Sequence, residues 1–127
     1  MSITPENIIS KFEEHGIPEY GLSLDFYPSH NLVRALTYRF HIEFAVMFSI
    51  VGDCYYLYRG NQNSVDLPIN DDEILLNHSH PNGTPRPSID DINWLRLAQQ
   101  QGSPQVKSII LPRGSRRITF NINTPTS

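Results

Sequence analysis

The sequence predicts a single α+β domain in which a β-sheet is flanked by helices. Hydrophobic residues alternate with small or polar residues from residue 40 to residue 50, which is the period of a β-strand with one face in a core. The predicted elements follow in the order helix, strands, helix, strands, which is typical of an α+β fold. The chain has 127 residues, the usual size of one domain.

The first 38 residues are predicted to form a helical and irregular segment that packs on the core. A helix is predicted to start at Thr4-Pro5-Glu6 and to end at Gly16, because a capping hydroxyl and a proline open it and a glycine stops it. Residues 22–26 alternate like a short strand. A second helix is predicted over residues 29–37.

Residues 39–122 are predicted to form the core of the domain, and residues 123–127 a flexible tail. After the strand at 40–50 we expect further strands at 54–60 and 74–80, a helix from about 88 to 101, and a hairpin of strands 106–112 and 116–122 turning at Arg113-Gly114-Ser115. Ile92, Leu95 and Leu97 are predicted to face inward from that helix, and Cys54 to be a core residue.

The net charge, the cysteine count and the lengths of the apolar runs exclude several classes of protein. The net charge of −3 argues against a protein built mainly to hold nucleic-acid phosphates. One cysteine excludes a disulfide within the chain and a cysteine-based zinc knuckle. No apolar run reaches the roughly 18–20 residues of a membrane span, and the first 16 residues lack the apolar core of a secretion signal. We therefore expect a cytoplasmic protein.

The segment HSHPNGTPRPSIDD, residues 78–91, carries the candidate chemistry. His78 and His80 are two apart on a predicted strand, so both side chains leave the same face. Imidazoles are good zinc ligands, and Asp91 would supply a third ligand from the first turn of the next helix. Three protein ligands and one water are typical of a catalytic zinc site. Glu43 is the glutamate best placed to act as general base.

Each of these residues also has a structural interpretation. Ser88 and Asp91 are three apart and could form a helix capping box, and Glu43 could be a solvated strand residue. Asp90 is the rival ligand to Asp91, but on a helix it would point about 100° away. His41 shares the predicted face of Glu43 and would either line the cleft or be packed or solvated.

The joint arrangement resembles a known family. Glu43, then His78-Ser79-His80, seven residues, and Ser88-Ile89-Asp90-Asp91 is similar to the motif E…H-[S/T]-H-x7-S-x-x-D of the JAMM metalloproteases, which have the MPN domain. Residues 78–95 also resemble the corresponding segment of the RadC family. The resemblance covers roughly residues 40–120 and implies the MPN/JAB-like, cytidine-deaminase-like fold.

The resemblance also implies one zinc ion held by His78, His80 and Asp91. It implies that Glu43 activates a water and that Ser88 helps to stabilise an oxyanion, so that both are catalytic residues. The expected activity is hydrolysis of peptide or isopeptide bonds. The expected partner is a protein or peptide substrate, with a ubiquitin-like protein as one candidate, and the chain could be a bacterial effector or toxin module of a larger polypeptide. Two alternatives stay open: a non-catalytic MPN-type scaffold, and a RadC-like domain that associates with nucleic acid.

Overall fold

A six-stranded mixed β-sheet organises the molecule. The computed structural model describes residues 2–114 and 116–126. Within those residues the elements are, in chain order, α1 (Ile8–His15), β1 (Leu22–Leu24), α2 (His30–Phe40), β2 (Phe44–Ser49), β3 (Cys54–Arg59), β4 (Glu73–Ser79), α3 (Ile89–Gln100), β5 (Ser108–Leu111) and β6 (Ile118–Phe120). The predicted single compact α+β domain is confirmed.

The strand order is β1-β3-β2-β4-β5-β6. The β2–β3 hairpin is antiparallel because a short turn reverses the chain, and β5–β6 are also antiparallel, as predicted. β4 and β5 are parallel because α3 carries the chain back between them. β2 therefore lies in the middle of the sheet, between β3 and β4.

Both faces of the sheet are covered, which corrects the expectation that one face of the long strand carries small or polar groups outside a core. Phe44 and Val46 pack with α1 and α2 on one face. Ala45 and Met47 point to the other face, where they pack with Leu75 and residues of the loop that precedes β4. α3 lies on that second face and contacts β5 and β6. A central strand with helices or loops packed on both faces of its sheet is buried on both sides, even when hydrophobic and small or polar residues alternate along it.

The boundary between α2 and β2 differs from the prediction. Ser29 caps α2 as expected, with its side chain accepting a hydrogen bond from the Leu32 N–H at 3.1 Å. The helix continues to Phe40, however, and the strand begins only at Phe44. Phe40 satisfies both periods, since it follows the inward-facing Val33 and Leu36 at helical spacing and also alternates with Phe44. The predicted boundary after residue 38 thus falls inside α2.

Other differences are small. α1 starts at Ile8 rather than Thr4, because Thr4 and Asn7 form a turn by exchanging side-chain hydrogen bonds with each other's backbone N–H, and Gly16 ends it as predicted. Leu97 is 44% exposed, so its predicted inward orientation is wrong, and Ala98 takes the buried position. Cys54 is half-buried rather than a core residue. The predicted turn at 113–115 includes Ser115, which lies outside the described residues.

In the part of the chain that the structure describes, no helix has both the length and the apolarity needed to cross a membrane.

Candidate metal centre

The two histidines of the 78–91 segment converge at the end of β4. His78 pairs with Ala45 of the central strand, and His80 follows the last residue of β4. Their side chains project toward the α3 side of the sheet, and His78 is only 1% exposed. The two Nε2 atoms are 3.1 Å apart. The predicted pairing of two imidazoles from one strand end is therefore present.

Asp91 meets both histidines from the first turn of α3. Its Oδ1 lies 3.1 Å from Nε2 of His78, and its Oδ2 lies 3.3 Å from Nε2 of His80. A tetrahedral ion with ligands at about 2.0–2.1 Å has ligand–ligand separations of about 3.3–3.4 Å. The two Nε2 atoms and the nearer Asp91 oxygen of each histidine are separated by distances close to that value, although each histidine faces a different oxygen of the carboxylate.

Glu43 approaches the histidines from the segment between α2 and β2. Its backbone is held by two hydrogen bonds, from its own N–H to the carbonyl of Asn61 and from the Gly60 N–H to its carbonyl, each 2.8 Å long. Its carboxylate is buried, with Oε1 4.0 Å from Nε2 of His80. Glu43 lies before β2 rather than on it, but it still faces the site.

A group formed by Glu43, His78 and His80 could hold a metal ion, since one donor atom from each lies within 4.8 Å of the others. The carboxylate of Asp91 also approaches both histidines, with one oxygen 3.1 Å from Nε2 of His78 and the other 3.3 Å from Nε2 of His80. Asp91 therefore lies nearer to His80 than Glu43 does, since Oε1 of Glu43 is 4.0 Å from Nε2 of His80.

The hydrogen bonds of His80 show which kind of group the site fits. Nδ1 of His80 lies 2.8 Å from the carbonyl oxygen of Thr84, which only accepts, so Nδ1 carries the proton. In the neutral ring Nε2 then presents a lone pair toward Asp91 and His78. Electron-rich atoms about 3 Å apart repel unless a cation lies between them. The arrangement suits a proton or a metal ion, and the outer hydrogen bond is the type that orients metal-bound histidines.

Burial and the neighbouring groups of the site together shift three pKa values. Burial raises the pKa of Glu43 to about 7, an effect that His80 opposes and that Asp91 and Asp90 reinforce. Burial also disfavours the charged forms of Asp91 and His80. Hydrogen bonds from both histidines, donated when Nε2 carries a proton, nevertheless hold the pKa of Asp91 well below its usual range. Bonds to Asp91 and Thr84 raise the pKa of His80 overall.

Ser88 serves the helix and also borders the cleft. Its Oγ accepts the Asp91 N–H at 3.1 Å, while the Asp91 Oδ2 accepts the Ser88 N–H at 2.8 Å. The predicted capping box is therefore present in full. Ser88 also lines a cleft with Glu43 and His80. The capping and site interpretations of Ser88 and Asp91 thus describe the same geometry.

Ser79 positions the site from the opposite face of the sheet, a role that spacing alone did not reveal. It stands between the two histidines, so its side chain points toward α2. Its Oγ accepts the Thr37 hydroxyl at 2.6 Å and the Phe44 N–H at 3.0 Å. These bonds tie the end of β4 to α2 and to the start of β2. The sequence signal was the small hydroxyl residue between two histidines on a strand.

Among the described residues, neither rival residue forms an ion pair with the two histidines. Asp90 is exposed on α3. His41 adopts a left-handed conformation with φ 57° and ψ 39° at the end of α2, where it is exposed and lines a neighbouring pocket. One feature departs from a typical metal site: Nδ1 of His78 is buried and has no hydrogen-bond partner among the described residues.

Comparisons with known protein families, with curated proteins and with solved structures find no match.

Proposed function

We propose that the protein is a zinc-dependent hydrolase of peptide or isopeptide bonds, of the JAMM type and with the MPN/JAB fold. One observation carries the proposal: Nε2 of His78, Nε2 of His80 and the carboxylate of Asp91 converge at 3.1–3.3 Å, with Glu43 beside them. The mixed sheet with helices on both faces supports the fold assignment. The proposed substrate is a protein or peptide.

The donor set favours zinc. Two imidazole nitrogens and one carboxylate are a common ligand set for zinc, whereas magnesium and calcium prefer oxygen ligands throughout. Asp91 is held by its bond from the Ser88 N–H and His80 by its bond to Thr84, so two of the three ligands are oriented before any ion binds. A bound zinc ion would supply a Lewis acid and would make water a nucleophile at neutral pH.

Glu43 is the proposed general base. Its backbone is held by Gly60 and Asn61, and Oε1 of its carboxylate lies 4.0 Å from Nε2 of His80. Its raised pKa of about 7 suits proton transfer near neutral pH, because a group that titrates near the working pH both accepts and releases protons. Glu43 would take a proton from the attacking water and deliver it to the nitrogen of the departing amine.

Ser88 is the proposed stabiliser of the negative charge that develops on the substrate carbonyl oxygen. Its Oγ accepts the Asp91 N–H through one lone pair, which leaves the hydroxyl proton available for donation. The side chain borders the same cleft as Glu43. A donor placed where charge develops stabilises the transition state more than the ground state.

The test combines zinc analysis with cleavage of a mixed peptide digest read by mass spectrometry. We expect wild-type protein to bind about one zinc ion per chain and to generate new peptide termini. Glu43→Gln should keep the zinc and lose cleavage by a factor of about 10²–10⁴, since it removes a general base without removing a ligand. His78→Ala should lose the zinc and the cleavage together.

Glu19→Gln is the matched control, because Glu19 is exposed and distant in sequence from every site residue. It should retain both zinc and cleavage. Cleavage that persists in Glu43→Gln, or zinc that persists in His78→Ala, would contradict the proposal. Zinc binding without any cleavage by wild-type protein would favour a non-catalytic scaffold instead.

A further inference from the structure

A second pocket adjoins the candidate metal centre on the α2 side of the sheet. It lies between α2 and the end of β5, and its walls include Tyr38 and Leu111. His80 and Pro81 line both this pocket and the cleft that contains Glu43. A molecule bound over His80 could therefore occupy both spaces at once.

The pocket is basic. Arg34 of α2 and Arg113, just beyond β5, both line it, together with His41, and no aspartate or glutamate does. Neither arginine forms a salt bridge with a carboxylate in residues 2–114 and 116–126. This concentration of positive charge stands out in a chain whose net charge is −3. Unpaired arginines in a concave site attract anions.

Arg34 is held by hydrogen bonds, whereas Arg113 is exposed and lies against a glycine. Arg34 donates hydrogen bonds to the Asn31 side chain and to the Arg116 carbonyl, yet its Nε is buried and has no partner among the described residues. Arg113 packs against Gly83 in the loop that follows the histidines, where an added Cβ would lie 3.1 Å from Cβ of Arg113. The pocket and the metal-site loop therefore share a wall.

We propose that this pocket binds a carboxylate of the peptide substrate, held between Arg34 and Arg113, while the neighbouring amide lies over His80. This inference rests on the proposed hydrolase function and adds a preference for acidic peptides to it. The guanidinium group matches a carboxylate because two parallel N–H groups bind its two oxygens. The carboxylate could come from an acidic side chain or from a free C-terminus.

The shape of the pocket favours a peptide over a nucleic acid. Binding to a nucleic-acid backbone uses a row of cations that follows successive phosphates. Here two arginines face one concave space, and apolar groups of Leu111 and Pro112 form part of its wall. Such a mixture of one charged anchor and apolar walls suits an amino-acid side chain or a chain terminus.

The test measures binding of short peptides by NMR to the zinc-loaded and to the chelator-treated Glu43→Gln protein, so that no peptide is consumed. The probes are acetyl-tetraalanine with a free C-terminus, the same peptide as its amide, and an amidated analogue with one internal glutamate. We expect at least one carboxylate peptide to bind about tenfold tighter than the uncharged amide. The signals of Tyr38 and Arg113 should shift on binding. The tighter of the two carboxylate peptides identifies which source of carboxylate the pocket prefers.

Arg113→Glu should abolish this preference, because Arg113 is exposed and its replacement reverses a charge at the pocket without removing a buried group. Arg96→Glu is the matched control. Arg96 is an exposed residue of α3 and does not line the pocket, so this substitution changes the net charge of the protein by the same amount at a different place. It should leave the preference intact.

The inference is overturned by equal binding of acid and amide peptides, by an unchanged preference in Arg113→Glu, or by tighter binding of a single-stranded DNA 12-mer at the same signals. Failure of the hydrolase proposal would look different. In that case the protein would lack zinc or wild-type cleavage, and the carboxylate preference would still be measurable in chelator-treated protein.

Discussion

Asp91 illustrates how one side chain serves both the fold and the site. Its carboxylate accepts the Ser88 N–H at the start of α3 and meets Nε2 of both histidines. A carboxylate at a helix N-terminus is also stabilised by the helix dipole. These interactions hold the pKa of Asp91 low in spite of its burial. The residue therefore stays ionised, as a metal ligand must be.

The pKa of Glu43 is raised, whereas that of Asp91 is lowered. This raised pKa predicts that the stability of the metal-free protein depends on pH. Burial raises its folded-state pKa from 4.5 to about 7. A group with a raised folded-state pKa stabilises fully below its unfolded pKa, and that contribution is lost as the pH rises through about 7. In the presence of a chelator, Glu43→Gln should become more stable than wild type by about 1–3 kcal/mol at pH 8, with little difference below pH 4.5.

Chemical denaturation at several pH values between 4.5 and 8 measures the effect, with Glu19→Gln as the control that should follow wild type throughout. The variants differ from wild type only at the substituted residue, so a pH-dependent difference is assigned to Glu43 and its interactions with its neighbours. A stability difference that does not change with pH would show that Glu43 is not a buried, destabilised acid.

At the scale of elements, the N-terminal cap of α3 includes a residue of the site, Asp91. The cap of α2 includes no site residue, so α2 serves as the matched helix for comparison. Ser88 caps α3 and Ser29 caps α2, each through a side-chain oxygen that accepts a backbone N–H at 3.1 Å. Ser88→Ala and Ser29→Ala should each destabilise the protein by about 1 kcal/mol. Only Ser88→Ala should also weaken zinc binding, by about tenfold, because it loosens the turn that carries Asp91.

Thermal denaturation and competition with a zinc-binding dye give the two readouts. Equal zinc affinities in the two variants would mean that the α3 cap does not orient Asp91. A much larger loss of stability in Ser88→Ala than in Ser29→Ala, with zinc affinity unchanged, would assign Ser88 to the fold alone.

The elements near the site show what the sequence could and could not predict. The placement of residues 78–91 is local, because strand alternation directs both histidines to one face and the capping box starts α3 at Ser88. The end of α2 was not predictable, since Phe40 fits both helical and strand spacing. The contact between Thr37 and Ser79 spans 42 residues of sequence, and no spacing rule encodes it.

At the scale of the whole molecule, four separate stretches converge at one end of the central strands. The histidines come from the end of β4, Asp91 from the start of α3 and Glu43 from the segment before β2. The fourth stretch, at the end of β3, supplies no ligand but fixes the backbone of Glu43 through Gly60 and Asn61. The geometry of the site therefore depends on how the sheet brings distant segments together.

A substitution at Gly60 tests whether the site depends on distant segments, because Gly60 lies far from the histidines in sequence and supplies no proposed ligand. A Cβ added there would lie 2.0 Å from the carbonyl oxygen of Ser64, so the backbone around Gly60 would have to move. We expect that movement to break the hydrogen bonds that fix Glu43 and to leave the three proposed zinc ligands in place. Gly60→Ala should therefore lower kcat/KM for peptide cleavage by about 10²-fold, since small misplacements of catalytic groups have effects of that size.

The zinc content of Gly60→Ala should match wild type, and its unfolding free energy should fall by about 1–3 kcal/mol from overpacking. Gly52→Ala is the control, because a Cβ at Gly52 meets only side-chain atoms of Ser49 and Cys54, the nearest at 3.0 Å, in an exposed turn. It should cleave like wild type. Full activity in Gly60→Ala would mean that the position of Glu43 does not depend on the end of β3, and loss of zinc would mean that the segment supports the ligands as well.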